Sequence, residues 1–319
     1  MGDILVLKND IFDLPQAAEA EIREIAPELN LEVLDSKTDY FQALKDSEIV
    51  FGWPKTELIK EAENLKWLHL PSAGVDRYAN KEIYQNKDII LTNSSGVYGK
   101  PIAEHVFAMI MAHNRNLIDY AYNKKEKKWQ RENKIKDFFD STVGILGFGD
   151  IGSTIARRAK AWGAKVLALK RTMTESPDYV DHIYLNKDLD KLLKRSDYLI
   201  LTLPGTPETE NMITERELKI MKDSAFIVNI GRGSLIKQAD LVKALTENWI
   251  AGAGLDVTDP EPLPEESKLW ELENVILTPH TAGFSPTNDQ RRFEIFRDNL
   301  KHYLNNEALL NQVDFKLKY

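Results

Sequence analysis

The chain has 319 residues, 43% hydrophobic and 29% charged, the balance of a globular protein of about two domains. Its net charge of −8 gives no global basic field for nucleic acid. It contains no cysteine, which excludes disulfides, thiolate metal sites and cysteine nucleophiles.

The N-terminus, Met1-Gly2-Asp3, starts acidic, enters a strand-like run directly and has no secretory layout. The longest apolar stretch, Ile102 to Ala112, is interrupted by Glu104 and His105 and is too short to span a bilayer. A cytoplasmic protein without membrane contact is expected. Residues 3–8, 31–34, 48–52, 65–70 and 89–93 read as short strands. Between them, 15–29 carries Ala18, Ile22, Ile25 and Leu29 at helical spacing, and 40–45 is a short helix. This rhythm implies a small parallel sheet covered by helices. The small-residue loop Pro71-Ser72-Ala73-Gly74-Val75-Asp76 follows the 65–70 strand, where open α/β sheets place ligands. On spacing alone, a ligand loop and a plain connection are evenly matched.

A long helical pattern opens at Pro101 and continues beyond Arg115, as an inter-domain connector would. From Thr142 a second βα series runs through six strand signals, at 143–146, 165–169, 198–203, 225–230, 252–255 and 275–277. A last helical pattern follows Pro286, with Phe293, Phe296, Leu300 and Leu304. The expected architecture is α/β: two doubly wound parallel-sheet domains, with a Rossmann dinucleotide-binding domain (100–285) inserted into a discontinuous flavodoxin-like substrate domain (1–99 and 286–319).

The second series begins on Gly147-Phe148-Gly149-Asp150-Ile151-Gly152, between an apolar run and a helical pattern. In a dinucleotide unit the first glycine turns the chain, the second lets backbone meet pyrophosphate, and the third packs helix on strand. The helix N-terminus then faces the phosphates. About 20 residues on, NAD-binding units carry an acid for the ribose 2′-hydroxyl. Here Lys170-Arg171-Thr172 stands instead. Two cations and a hydroxyl suit a 2′-phosphate, so NADP(H) is favoured over NAD(H).

Three later strand ends carry candidate chemistry. Arg232 lies between Gly231 and Gly233, Glu261 between Pro260 and Pro262, and His280 follows Thr278-Pro279. Each alone has a bland reading as a surface or turn residue. Jointly, around a nucleotide site, they fit hydride transfer to a 2-oxo acid. Arg232 offers donors to the carboxylate and the developing oxyanion. His280 acts as general acid, or as base in the oxidation direction. Glu261 orients its ring and favours its protonated form.

These stretches, with Leu203-Pro204, Thr206-Pro207-Glu208-Thr209 and Leu255-Asp256-Val257, resemble the D-isomer-specific 2-hydroxyacid dehydrogenase family over essentially the whole chain. The resemblance implies Arg232, Glu261 and His280 as the catalytic set. It implies that the Ala73 and Gly74 amides, with Arg232, bind the substrate carboxylate. It implies that Asp256 holds the nicotinamide carboxamide, with Leu203, Pro204, Ile230, Gly231 and Gly283 along the cofactor, no metal, and a homodimer formed through the nucleotide domain. Within the family, Lys170-Arg171 and Trp53 look most similar to glyoxylate/hydroxypyruvate reductases. Nucleotide-sensing interaction proteins, and phosphite or phosphoglycerate dehydrogenases, are alternatives on the same fold. Glu261 beside His280 suits formate oxidation less, where the family leads one to expect glutamine. Trp53, Tyr98, Trp270 and Phe284 are candidate pocket walls, each equally a packing residue.

Overall fold

In the computed structural model, which describes residues 3–131, 135–173 and 175–318, the apolar runs become strands of two all-parallel sheets. Met1 and Gly2, where the N-terminal reading starts, lie outside the described residues. A parallel sheet with both faces covered asks for continuous apolar runs rather than alternation. Ile4, Leu5, Val6 and Leu7, all fully buried, supply one. The chain divides into two compact units, Met1–Tyr98 with Ser285–Tyr319, and Gly99–Phe284.

The first unit contains β1 (Asp3–Lys8), β2 (Leu31–Asp35), β3 (Ser47–Phe51), β4 (Trp67–Leu70) and β5 (Ile90–Asn93). Among the described residues they form one sheet in the order β2-β1-β3-β4-β5, the flavodoxin-like order. Successive residues face opposite cores: Leu5, Leu7, Val50 and Leu68 one way, Ile4, Val6, Ile49 and Trp67 the other. The helix Asn288–Leu304 covers the second face with Phe293, Phe296 and Leu300, three and four residues apart. Phe296 stacks on Phe51 at 4.4 Å and on Trp67 at 5.2 Å. The helix expected over 15–29 is shorter, Ala18–Ile25. Pro27 disfavours helical backbone at the residue before it, and Ala26 has left the helix at φ −127°.

The second unit opens with the helix Gly99–Asn114. The expected continuation past Arg115 is instead a break: Asn116 takes a left-handed φ of 51°, and a separate helix runs Leu117–Lys125. Then follow β6 (Thr142–Leu146), β7 (Lys165–Lys170), β8 (His182–Leu185), β9 (Tyr198–Leu201), β10 (Phe226–Asn229), β11 (Gly252–Leu255) and β12 (Val275–Leu277). Their order is β12-β11-β10-β9-β6-β7-β8, seven strands among the described residues where the spacing led us to expect six. The added strand is β8, four residues paired to β7 at the sheet edge, with Ile183 opposite Ala168. β6 sits between β7 and β9, so the strand order reverses at its C-terminal end.

A polar relay runs through the core of the first unit. Thr92 Oγ1 accepts from Trp67 Nε1 at 2.8 Å, so its own hydrogen faces His69 Nδ1 at 2.7 Å. His69 Nε2 then donates to Ser94 Oγ at 3.3 Å, and Ser94 Oγ donates to the Leu70 carbonyl at 3.0 Å. This order requires a neutral imidazole. Burial, complete for His69, holds its pKa down at about 3 against 6.5 for the free side chain. A depressed histidine pKa contributes stability that is fully present above about 6.5 and lost as pH falls toward 3, at up to about 1.4 kcal/mol per pH unit. Urea midpoints should therefore fall more between pH 7 and pH 5 in the native chain than in His69→Gln. Equal pH slopes in the two would remove His69 as the source.

Candidate active site

The glycine turn lies where the strand order reverses. Gly147 has φ +100°, a left-handed conformation that side chains rarely adopt. A Cβ there would also meet Thr202 Oγ1 at 2.9 Å and Leu203 N at 3.0 Å. A Cβ at Gly152 would lie 2.1 Å from the Gly147 carbonyl oxygen, so this residue must be small for the helix to close on the turn. Gly149 differs: a Cβ there would meet nothing within 4 Å. No protein contact explains its missing side chain, whereas a pyrophosphate lying on the backbone does. Asp150 and Ile151 open the helix Asp150–Ala161, whose first-turn amides have no intrahelical acceptor. The turn thus fits a dinucleotide. Thr202, which the sequence reading did not single out, donates to the Gly147 carbonyl at 2.5 Å and locks the turn to the exit of β9.

Lys170 ends β7, and the exposed Arg171 and Thr172 follow it. The Lys170 ammonium lies 5.8 Å from the centre of the Phe148 ring, inside the glycine turn, so the structure brings this cation beside the phosphate cradle. Leu203 and Pro204 leave β9 on the other side. Ile230 and Gly231 leave β10, and a Cβ on Gly231 would strike the Leu203 carbonyl oxygen at 2.7 Å. The exits of β9 and β10 are therefore packed backbone to backbone.

Arg232 is carried on this packed exit. Asn229 accepts from Gly231 N at 3.1 Å and donates to the Arg232 carbonyl at 2.8 Å, bracketing the arginine at its base. One guanidinium nitrogen reaches back to the Gly231 carbonyl at 2.7 Å. Asn229 O also accepts from Asp256 N at 3.0 Å, and Asp256 O from His280 N at 2.8 Å. A single backbone ladder thus continues past the sheet and joins the exits of β10, β11 and β12.

Asp256 is 3% exposed, and its carboxylate is the hub of that ladder. Oδ1 accepts from Thr278 Oγ1 at 2.6 Å and Thr281 N at 2.9 Å, and Oδ2 accepts from Ala282 N at 3.0 Å. Thr278 Oγ1 in turn accepts from His105 Nε2 at 3.0 Å. His105 was legible only as a polar interruption in an apolar run, because its partner lies 173 residues away. These bonds pin the segment that carries His280 and leads to Gly283. His280 itself sits at φ +54°, an uncommon conformation for a residue with a side chain. Its Nδ1 meets Glu261 Oε1 at 2.7 Å. Because the carboxylate can only accept, Nδ1 carries a hydrogen, and Nε2 is left for a proton donated to or taken from a ligand. A cleft of 490 Å³ runs along Thr258, Glu261, Leu263, Trp270 and His280. Trp270 and Phe284 are both more than half exposed.

In the loop after β4, in the first unit, the carbonyls from Leu70 to Gly74 are all engaged. Leu70 O accepts from Ser94 Oγ at 3.0 Å, Ser72 O from Ser94 N at 2.9 Å, Ala73 O from Asn93 Nδ2 at 2.8 Å, and Gly74 O from Ser72 Oγ at 2.7 Å. The Tyr98 hydroxyl donates to Pro71 O, so Tyr98, 9% exposed, is a support of the loop and not a pocket wall. The amides of Ala73 and Gly74 donate to no acceptor among the described residues.

The glycine geometry separates binding from folding. Gly149→Ala should keep the thermal midpoint of the native chain while weakening dinucleotide binding roughly tenfold or more. Gly152→Ala should lower both. Calorimetry with a fluorescence titration of NADPH reads the two effects, and unimpaired binding by Gly149→Ala would detach that glycine from the cofactor.

Residues 107–282 match the family model described as D-isomer specific 2-hydroxyacid dehydrogenase, NAD binding domain. A glyoxylate reductase of Thermococcus gammatolerans is 34% identical, with 98% of this chain and 95% of the relative covered. Among solved structures, the NADPH-dependent glyoxylate/hydroxypyruvate reductase of Sinorhizobium meliloti, in complex with NADP and sulfate, superposes with a TM-score of 0.84 at 26% identity, covering 99% of this chain and 100% of its own. The NAD-complexed form of a D-isomer specific 2-hydroxyacid dehydrogenase from Lactobacillus delbrueckii gives 0.77 at 25% identity, covering 97% of this chain and 100% of its own. The pinned histidine–glutamate pair, the bracketed arginine and the dinucleotide turn are thus found in a chain that belongs to the D-isomer specific 2-hydroxyacid dehydrogenase family.

Proposed function

We propose that this oxidoreductase is an NADPH-dependent reductase of small 2-oxo acids, with glyoxylate and hydroxypyruvate as the substrate class. The observation that carries the reading is the 2.7 Å bond between His280 Nδ1 and Glu261 Oε1, which orients Nε2 as a proton donor. The glyoxylate reductase relatives and the glyoxylate/hydroxypyruvate reductase neighbour support the substrate class. The bound nicotinamide supplies the hydride. The chain supplies the rest. His280 delivers the proton to the carbonyl oxygen, while Glu261 stabilises the charged ring before transfer. Arg232, bracketed by Asn229, offers a fixed fork to the carboxylate and to the oxygen that gains charge. The Ala73 and Gly74 amides, which have no acceptor among the described residues, are our second candidate for binding the carboxylate. Asp256 keeps one lone-pair position on Oδ2 for the carboxamide after its three protein donors are counted.

Lys170 beside Phe148, with Arg171 and Thr172 next in the chain, supports NADP(H) over NAD(H). We place the protein in the cytoplasm, where reduced dinucleotide is at hand. We also propose a homodimer formed through the second unit. Its side chains Leu117, Tyr122, Trp129, Phe139 and Trp162 are all at least half exposed, Trp129 completely. Light scattering should then return twice the chain mass of 36.5 kDa.

Kinetics test the assignments. A panel of 2-oxo acids with both reduced cofactors should give higher kcat/KM with NADPH, and Lys170→Asp should lower the NADPH-to-NADH ratio roughly tenfold or more. A native preference for NADH would overturn the cofactor assignment. His280→Ala should lower kcat by about 10²–10⁴ while leaving NADPH binding nearly intact. Arg232→Ala should mainly raise KM for the oxo acid, and an unchanged KM would hand the carboxylate to another group.

A further inference from the structure

Five consecutive carbonyls, from Leu70 to Gly74, are engaged, and each partner except one lies at the end of β5, just after it, or in the loop itself. The exception is Pro71 O, which takes its bond from Tyr98. The direction of that bond is set by a third residue. Arg292 Nε donates to the Tyr98 hydroxyl oxygen at 2.9 Å. Arginine can only donate, so the single tyrosine hydrogen must point at the Pro71 carbonyl. Arg292 is 4% exposed and anchored elsewhere as well: its NH1 nitrogen donates to Ile11 O and to Asp289 Oδ1, each at 2.7 Å. Its guanidinium lies 5.9 Å from the Trp53 ring centre. Trp53 Nε1 donates to Ser72 Oγ at 3.1 Å, and Ser72 Oγ donates to Gly74 O. Two routes therefore run from one buried cation to both ends of the loop in which the Ala73 and Gly74 amides have no acceptor among the described residues.

A peptide plane tied down at its oxygen has its N–H direction set on the opposite side. The Pro71 carbonyl belongs to the plane that carries Ser72 N, and Ser72 O to the plane that carries Ala73 N. Releasing Pro71 lets the first of these planes rotate and shifts Ser72, whose carbonyl oxygen lies in the plane of Ala73 N and whose hydroxyl holds Gly74 O. We propose that Tyr98, oriented by Arg292, is a positioning residue that aims the Ala73 and Gly74 amides at the substrate carboxylate, an inference that rests on those amides being its site. Neither residue touches substrate. Their effect falls on how well the charged carboxylate is told apart from an uncharged ester of the same shape.

The test measures the ratio of kcat/KM for the preferred 2-oxo acid to that for its methyl ester, with NADPH, on the full chain. Tyr98→Phe removes the hydroxyl and keeps the ring. KM for the acid should rise roughly tenfold, with KM for the ester, KM for NADPH and kcat within about twofold, so the ratio falls about tenfold. Trp53→Phe, which cuts the second route, should lower the ratio in the same sense and serves where Tyr98→Phe does not fold. A lower thermal midpoint with an unchanged acid-to-ester ratio in both variants would make the network merely structural and overturn the proposal. Gly74→Pro, which deletes one amide hydrogen, separates the two levels. If it collapses the ratio while Tyr98→Phe and Trp53→Phe do not, the positioning role fails and the amide site stands. If it leaves the ratio unchanged, the carboxylate is held elsewhere and the proposal falls with the reading beneath it.

Discussion

The second unit depends on one buried carboxylate. Asp256 lies almost out of contact with water, and an ionised side chain there is costly unless its lone pairs are filled. Thr278, Thr281 and Ala282 fill three of the four, and in doing so they tie down the irregular chain from Thr278 to Ala282. That firmness lets His280 keep a left-handed backbone, a conformation that costs on the order of 1–3 kcal/mol and needs surroundings that over-determine it. The backbone of Asp256 extends the same control sideways, to Asn229 on one neighbour and His280 on the other. His280 and Arg232 are therefore positioned by one continuous hydrogen-bond ladder.

What was legible in the sequence was local. The glycine turn declares itself in six residues, because its geometry is a matter of a Cβ absent at three fixed places. The strand ends bearing Arg232, Glu261 and His280 are legible because an apolar run followed by a polar residue marks an exit. β8 escaped because its four residues, His182 to Leu185, bury only Ile183 and Tyr184 and sit at the sheet edge, where no continuous apolar run is required. The break at Asn116 escaped because apolar spacing does not register a single left-handed residue. The supporting bonds were out of reach for another reason. Asp256 meets Thr278 across 22 residues, and Tyr98 meets Arg292 across 194. Such pairings follow from topology and leave no periodicity behind them.

On the proposed reading the two units present amides to an anion in different ways. In the second unit the amides come from a helix N-terminus, where four donors are unpaired by construction. Its glycines only clear the approach. In the first unit no helix among the described residues opens on the loop, and the Ala73 and Gly74 amides face no acceptor while the carbonyls around them are claimed. Ser94 takes two carbonyls, and Asn93, Ser72 and Tyr98 take one each, so the loop has a polar underside.

That loop has a consequence for how a charged substrate is captured. Amide dipoles act over a few ångströms, and their attraction decays faster with distance than that of an ammonium or guanidinium. A chain of net charge −8 adds no long-range pull of its own. On the proposed reading, the loop does not draw carboxylates in from bulk solution; it sorts them after contact. Its share of the binding energy is accordingly insensitive to ionic strength, because dissolved salt screens distant charges far better than touching dipoles.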